Sequence, residues 1–136
     1  IHRFLTKGLG IPNKIRSGRV GITGTNYKPL AKANQIQKAL QDLCDLINSK
    51  RNVLEKAFIA LLLIAYIQPF EDGNKRTARI ICNALLLLNK YCPISFRTVE
   101  PEDYRYATLL FYEQNSIPSF KKIFMEHFEF STANYF

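Results

Sequence analysis

The sequence predicts a mainly α-helical fold with one short β-hairpin. Three observations carry that reading. In "IQKALQDLCDLI" (36–47) apolar residues recur at helical spacing. "VLEKAFIALLLIAYI" (53–67) is apolar on nearly every side, as in a helix at the centre of a core. Val20 and Ile22 alternate with Gly21 and Thr23 and run into the turn residues "TGTN" (23–26).

In chain order, residues 1–10 read as the end of a helix stopped by Gly8 and Gly10. A hairpin follows over about 19–28, with Pro29 ending it; Gly18, Gly21 and Gly24 fit neither a GxGxxG nor a P-loop pattern and are turn and strand glycines. The first amphipathic helix runs from about Lys32 to Asn48, and the central helix from Val53 to Ile67. "NKRTARIICNALLLLN" (74–89) makes a further helix with a large apolar face. A segment that opens extended becomes helical from Pro101, where Pro in the first turn with Glu102 and Asp103 suits a helix start. A last helix spans about Pro118 to Phe128.

The 136 residues are enough for one domain with its own core, expected over 1–136. The longest strongly apolar stretch, Ala57 to Ile67, is too short to span a bilayer, and no signal-peptide pattern opens the chain. The chain starts at Ile1 and its one methionine is Met125, so an upstream segment is expected. Cys44, Cys82 and Cys92 are odd in number with no CxxC spacing; they read as reduced, mostly buried thiols of a cytoplasmic protein, and no zinc site is expected.

Charge is uneven. Residues 1–41 carry Arg3, Lys7, Lys14, Arg16, Arg19, Lys28, Lys32 and Lys38 and no acidic side chain, so the whole net charge of +8 lies in the first third. Such a segment is either a solvated surface or an attractor for an anion: a nucleotide, an acidic partner or nucleic acid. No nucleic-acid recognition motif accompanies it.

Most chemistry is concentrated in "IQPFEDGNKRTARI" (67–80), the junction between the two most apolar helices. Pro69 prevents the first from continuing smoothly. Phe70 is expected to point inward and pin the loop, and Gly73 permits a tight path. Asn74 is expected as the N-cap of the next helix, whose free N–H groups and dipole favour an anion. Arg76 and Arg79, three apart, share a face and suit phosphate, and Asp72 offers a hard oxygen ligand to Mg²⁺. From residue types alone the cluster is equally a capped helix start with surface ion pairs.

"QPFEDGNKRTAR" resembles the signature of the Fic family: His, any residue, Phe, any residue, Asp or Glu, Gly, Asn, any residue, Arg, two more, Arg. Phe70, Asp72, Gly73, Asn74, Arg76 and Arg79 match; Gln68 stands at the His position and Lys75 where Gly is usual. "SGRVGITGTNYKPL" is similar to the family's flap, "IHRFLTKGL" to the helix end before it, and "SFRTVEPEDYRYATLLFYEQN" to its C-terminal helical region. The resemblance implies a Fic-like helical bundle that binds ATP with Mg²⁺ and transfers AMP to a hydroxyl of a target protein; the family is also tied to cell filamentation. It implies that Asp72 holds the metal, that Gly73, Asn74, Lys75, Arg76 and Arg79 hold the phosphates, and that Val20, Gly21, Ile22 and Thr23 hold the target by strand pairing.

In the family, the residue at position 68 removes the proton of the attacking hydroxyl. A Gln amide can hold a hydroxyl but cannot take its proton. Three readings are therefore open: a natural variant with weak or altered activity, a binding-only relative, or an engineered replacement. "Asn-Lys-Arg" (74–76) is also similar to the Doc-type branch, which transfers phosphate. The family's inhibitory Ser/Thr-x-x-x-Glu-Gly/Asn motif has no good match: Thr98 to Glu102 has the spacing, but Asp103 follows. Any inhibitor would come from an upstream segment or a partner chain.

Overall fold

A computed structural model describes residues 1–96 and 101–135. Most of the Thr98–Glu102 spacing lies outside the described residues. Among the described residues six helices follow one another: α1 (His2–Leu5), α2 (Ala33–Ser49), α3 (Val53–Ile67), α4 (Asn74–Leu88), α5 (Pro101–Gln114) and α6 (Pro118–Tyr135).

α3 is the hub. Asn52 caps its start, accepting from Leu54 N at 2.8 Å and Glu55 N at 3.2 Å. Ala57, Ala60, Leu61, Leu62, Ile64 and Ile67 are all buried, on more than one side of the helix. Small residues on α3 and on the Ala78–Cys82–Leu86 stripe of α4 let these two helices lie close. α2 adds Ile36 and Leu43 from the other side. Phe58 meets Phe124 edge-on with centroids 5.3 Å apart, tying α6 to the hub. Leu86 is fully buried, and deletion of such a side chain ordinarily loses ~2–5 kcal/mol.

Three expectations need correction. The hairpin over 19–28 is absent: the described residues contain no β-strand, and within 19–28 only Thr23–Gly24 form a turn, with Gly24 at φ +87°. A two-stranded ribbon this short, with glycines at 18, 21 and 24, gains too little cross-strand packing to pair. Side chains hold the segment instead. Tyr27 stacks on Tyr66 at 4.4 Å and donates its hydroxyl to Tyr66 O at 2.8 Å, while Thr25 Oγ1 donates to Glu113 at 2.8 Å. Second, α6 continues seven residues past Phe128, because Ser131 is buried where its Oγ accepts Ser95 N at 3.0 Å and Thr132 bonds back to Phe128 O at 2.9 Å. Third, Cys44 is exposed; one residue beyond Leu43, it is turned about 100° off the apolar stripe. Cys82 and Cys92 are buried free thiols. Among the described residues, no helix is long and apolar enough to cross a membrane.

Candidate functional site

The junction between α3 and α4 is built by four supports. Gln68 ends α3 in the left-handed region (φ 52°, ψ 60°) and bonds its N–H to Ile64 O at 3.0 Å; Pro69 is fully buried behind it. Arg16, 1% exposed, then grips the turn. Its Nε donates to Gln68 O at 2.5 Å, Nη2 to Ile67 O at 3.2 Å and Nη1 to Gly18 O at 2.7 Å, while its backbone N–H reaches Pro69 O at 3.0 Å. A guanidinium thus satisfies carbonyls that a helix C-terminus leaves bare. The third support is Asn74. Its Oδ1 accepts Phe70 N and its Nδ2 donates to Phe70 O, both at 2.9 Å, closing the loop as a strand partner would. His2 is the fourth. Its ring stacks on Phe70 at 3.7 Å, and Nε2 donates to Asp72 O at 2.9 Å, since a carbonyl can only accept.

Asn74 is therefore not the N-cap. Gly73 is, at φ +80°, and it has no side chain to cap with. A β-carbon there would sit 3.4 Å from Thr6 and 3.5 Å from His2 Nε2, so both backbone angle and space favour glycine. The consequence is chemical. No hydrogen bond among the described residues uses the N–H groups of Asn74, Lys75 and Arg76, which face out of the helix start.

These donors open into a cleft of about 750 Å³. Its walls are residues 20–23, the loop with the first turns of α4, and Phe96 with the 104–109 side of α5. The structure brings all the residues singled out in the sequence to this one cleft: Val20, Gly21, Ile22, Thr23, Gln68, Asp72, Gly73, Asn74, Lys75, Arg76 and Arg79. Among the described residues, Lys75, Arg76, Arg79 and Arg105 line it against Glu71 and Asp72. Asp72 Oδ1 accepts Gly73 N at 2.6 Å, and Oδ2 lies 4.0 Å from Arg76, a loose pair with the carboxylate 69% exposed.

Arg76 and Arg79 share the cleft but not their surroundings. Arg76 is exposed. The Arg79 guanidinium carbon lies 5.0 Å from the Phe96 ring centroid and 5.2 Å from that of Tyr104, and its buried Nε has no hydrogen-bond partner among the described residues. Burial, then Arg79, then Arg105 push the Lys75 pKa below its ordinary value, as happens to a cation among cations. Burial pushes the Tyr104 hydroxyl up, with Arg79 opposing.

A magnesium polyphosphate fits this donor set. Uncapped amides, three cations on α4 and a buried unpaired guanidine N–H offer partners for phosphate oxygens. Asp72 is an exposed carboxylate beside them, a hard oxygen donor of the kind Mg²⁺ takes together with phosphate oxygens.

Gln68 is 8% exposed, and both ends of its amide are engaged: Nε2 donates to Ala65 O at 2.6 Å, and Oε1 accepts from Asn74 at 3.0 Å. It functions here as a brace between α3 and Asn74. His2 does not line the cleft: its Nε2 bonds Asp72 O and its Nδ1 faces Asn13 Oδ1 at 3.4 Å.

Sequence reasoning missed Arg16, His2 and the α5 wall. Arg16 was counted only as charge. Arg105, Thr108 and Leu109 have the i, i+3, i+4 spacing of one helix face, but only tertiary packing decides that this face meets the cleft.

The Fic/DOC family profile matches residues 1–86. Protein adenylyltransferase fic-1 of Caenorhabditis elegans is 25% identical over 134 residues, covering 93% of this chain and 26% of that protein. Protein adenylyltransferase Fic of Nematostella vectensis is 31% identical over 111 residues, covering 76% of this chain and 25% of that protein. The solved structure of a C. elegans Fic-1 fragment superposes with a TM-score of 0.75 at 25% identity, covering 98% of this chain and 40% of that one. BepC, a VirB-translocated effector of Bartonella tribocorum solved with bound AMPPNP, matches in fold with a TM-score of 0.66 at 19% identity, over 80% of this chain and 55% of that one. The chain spans about a quarter of the length of the two curated relatives.

Proposed function

Given that the chain belongs to the Fic/DOC family, we propose that it binds a magnesium nucleoside triphosphate, ATP or a close relative, in the cleft and transfers AMP to a hydroxyl of a target protein at a reduced rate. The observation that carries the binding half is the uncapped start of α4, with unpaired amide donors ringed by Lys75, Arg76 and Arg79. Adenylyltransferase names among the relatives, and AMPPNP bound to BepC, support the nucleotide chosen.

Asp72 would hold Mg²⁺, which when bound neutralises phosphate charge and orients the triphosphate. The amides of Asn74 to Arg76 and the cations on α4 fix the phosphates, and residues 20–23 hold the target segment by their free backbone groups. In the transfer the hydroxyl oxygen bonds to the α-phosphorus, the α–β bridging bond breaks, pyrophosphate leaves, and the hydroxyl proton must go to a base. Gln68 cannot be that base: an amide takes no proton, and this one is already bonded at both ends. General-base help is worth ~10²–10⁴-fold, so transfer here falls to solvent or the phosphates themselves. The same braced Gln68 favours a second reading, a module that binds nucleotide and peptide without chemistry. Lys75 in place of Gly keeps a third, phosphate transfer, distinguishable by label.

The test is to incubate wild type and Gln68→Ala or Gln68→His variants with lysate and either α-³²P-ATP or γ-³²P-ATP, and to titrate fluorescent ATP with and without Mg²⁺. The expected result is magnesium-dependent binding, weak α-label with wild type, and a gain of ~10²–10⁴-fold in Gln68→His. Binding with no α-label from any variant establishes the second reading, label from the γ-phosphate alone the third, and failure to bind ATP removes the site assignment.

A further inference from the structure

The segment of residues 19–24 has an unusual combination of properties. No hydrogen bond among the described residues uses its backbone N–H groups, and none uses its C=O groups. It is flanked by exposed Arg19 and Lys28, inside a first third with eight basic residues and no acidic one. Across its tip lies Arg105 from α5: a β-carbon at Gly24 would sit 2.5 Å from Arg105 Nη2. Arg105 makes no ion pair with Glu102, Asp103 or any other described carboxylate. Glu113, the α5 carboxylate that meets this segment, is taken by Thr25 Oγ1.

We propose that this chain recognises an acidic extended segment of a protein partner, with an Asp or Glu close to the acceptor hydroxyl, seated along residues 20–23 and read by Arg105. The proposal rests on the docking mode given above and adds its chemistry. An extended peptide supplies the backbone partners that residues 20–23 lack. A carboxylate supplies what Arg105 lacks, and a guanidinium can bond both its oxygens at once. The excess of basic side chains in residues 1–41, with no acidic one among them, speeds arrival of an acidic segment and repels a basic one. A free nucleotide phosphate could also satisfy Arg105, and a nucleic acid could satisfy the field, but neither supplies strand pairing to residues 20–23.

The test uses fluorescein-labelled peptides of about ten residues, long enough to run the length of the segment. They share one Ser/Thr-centred core flanked by Asp/Glu, by Asn/Gln or by Lys. Anisotropy is read with saturating Mg–AMPPNP present, so that the triphosphate site is filled, and ATP binding is titrated separately. The acidic peptide is expected to bind about tenfold tighter than the neutral one, the factor one charge-assisted contact supplies. Arg105→Gln should erase that preference while changing ATP affinity by clearly less than it changes acidic-peptide affinity, and Arg105→Glu should shift preference to the Lys-flanked peptide. Melting curves of both variants establish that they are folded. Equal binding of acidic and neutral peptides overturns the proposal. So does a loss of ATP affinity in Arg105→Gln equal to the loss of peptide affinity, or a single-stranded oligonucleotide that competes as well as the acidic peptide. Peptide preference without ATP binding leaves this inference standing and removes the nucleotide reading; ATP binding without peptide preference does the reverse.

Discussion

Arg16→Met tests the idea that a buried guanidinium sets the exit of α3. The substitution keeps length and apolar contact and removes only the charged fork. Three carbonyls lose their donor: Ile67 O, Gln68 O and Gly18 O. Gly18 is exposed and its carbonyl can rehydrate. The other two are enclosed by the junction, and each buried acceptor left bare costs about 1–3 kcal/mol. The sum is ~2–6 kcal/mol, which overlaps the 3–5 kcal/mol typical of stranding one side of a buried charged contact. Against a whole-domain stability of about 5–15 kcal/mol, that is a large fraction. For a chain of this length it should lower the melting temperature by roughly 10 °C or more. Arg16→Lys, with one nitrogen for three acceptors, should fall between. Urea unfolding followed by circular dichroism gives the free energies, and ATP titration below the melting range shows whether a loosened junction loosens the phosphate site. A loss smaller than ~1 kcal/mol in Arg16→Met would refute the reasoning and return Arg16 to the list of solvated charges.

Gln68→Ala removes the acceptor of one Asn74 N–H and should destabilise by about 1–3 kcal/mol, while α-label stays at the wild-type level; a drop in label in a folded variant would give Gln68 a part in the chemistry. Lys75 has a folded-state pKa below 10.5. Its penalty on the fold is therefore present while it is charged in both states and fades as pH rises from the lowered value toward 10.5. A bound polyphosphate favours the charged form, so ATP binding should take up a proton over the same alkaline range and weaken as pH rises. Calorimetry in two buffers of different ionisation enthalpy reads that uptake, and its absence would place Lys75 away from the phosphates. Of the three thiols, exposed Cys44 should react with Ellman's reagent in native protein, whereas Cys82, buried and pushed up to about 12, should wait for unfolding. Fast reaction of Cys82 would contradict the packing of α3 on α4.

What was legible in the sequence was local. α3 begins and ends where the sequence reading puts it, because its signals are adjacent in the chain: Asn52 before, Gln68 and Pro69 after. The cleft was legible because its α3–α4 side comes from one continuous stretch. What was hidden depends on distant partners. Ser131 prolongs α6 only because Ser95, 36 residues earlier, donates to it. Tyr27 holds its segment through Tyr66, so turn residues alone suggested a ladder that the packing does not need. Arg16 looks like any surface base until Gln68, 52 residues on, is placed against it. Asn74 was assigned the wrong task for a subtler reason: the residue type suits a cap, and only the loop geometry turns its amide back to Phe70.

α4 begins at a residue that cannot cap it, so its first turn is left incomplete by the polypeptide itself. A seated anion would supply the missing acceptors and lengthen the stretch of helix that resists fraying. Occupancy and secondary structure are then one measurement: amide exchange at 74–76 should slow as ligand is added, and a melting-temperature screen of simple oxyanions should rank them by how well each finishes the helix.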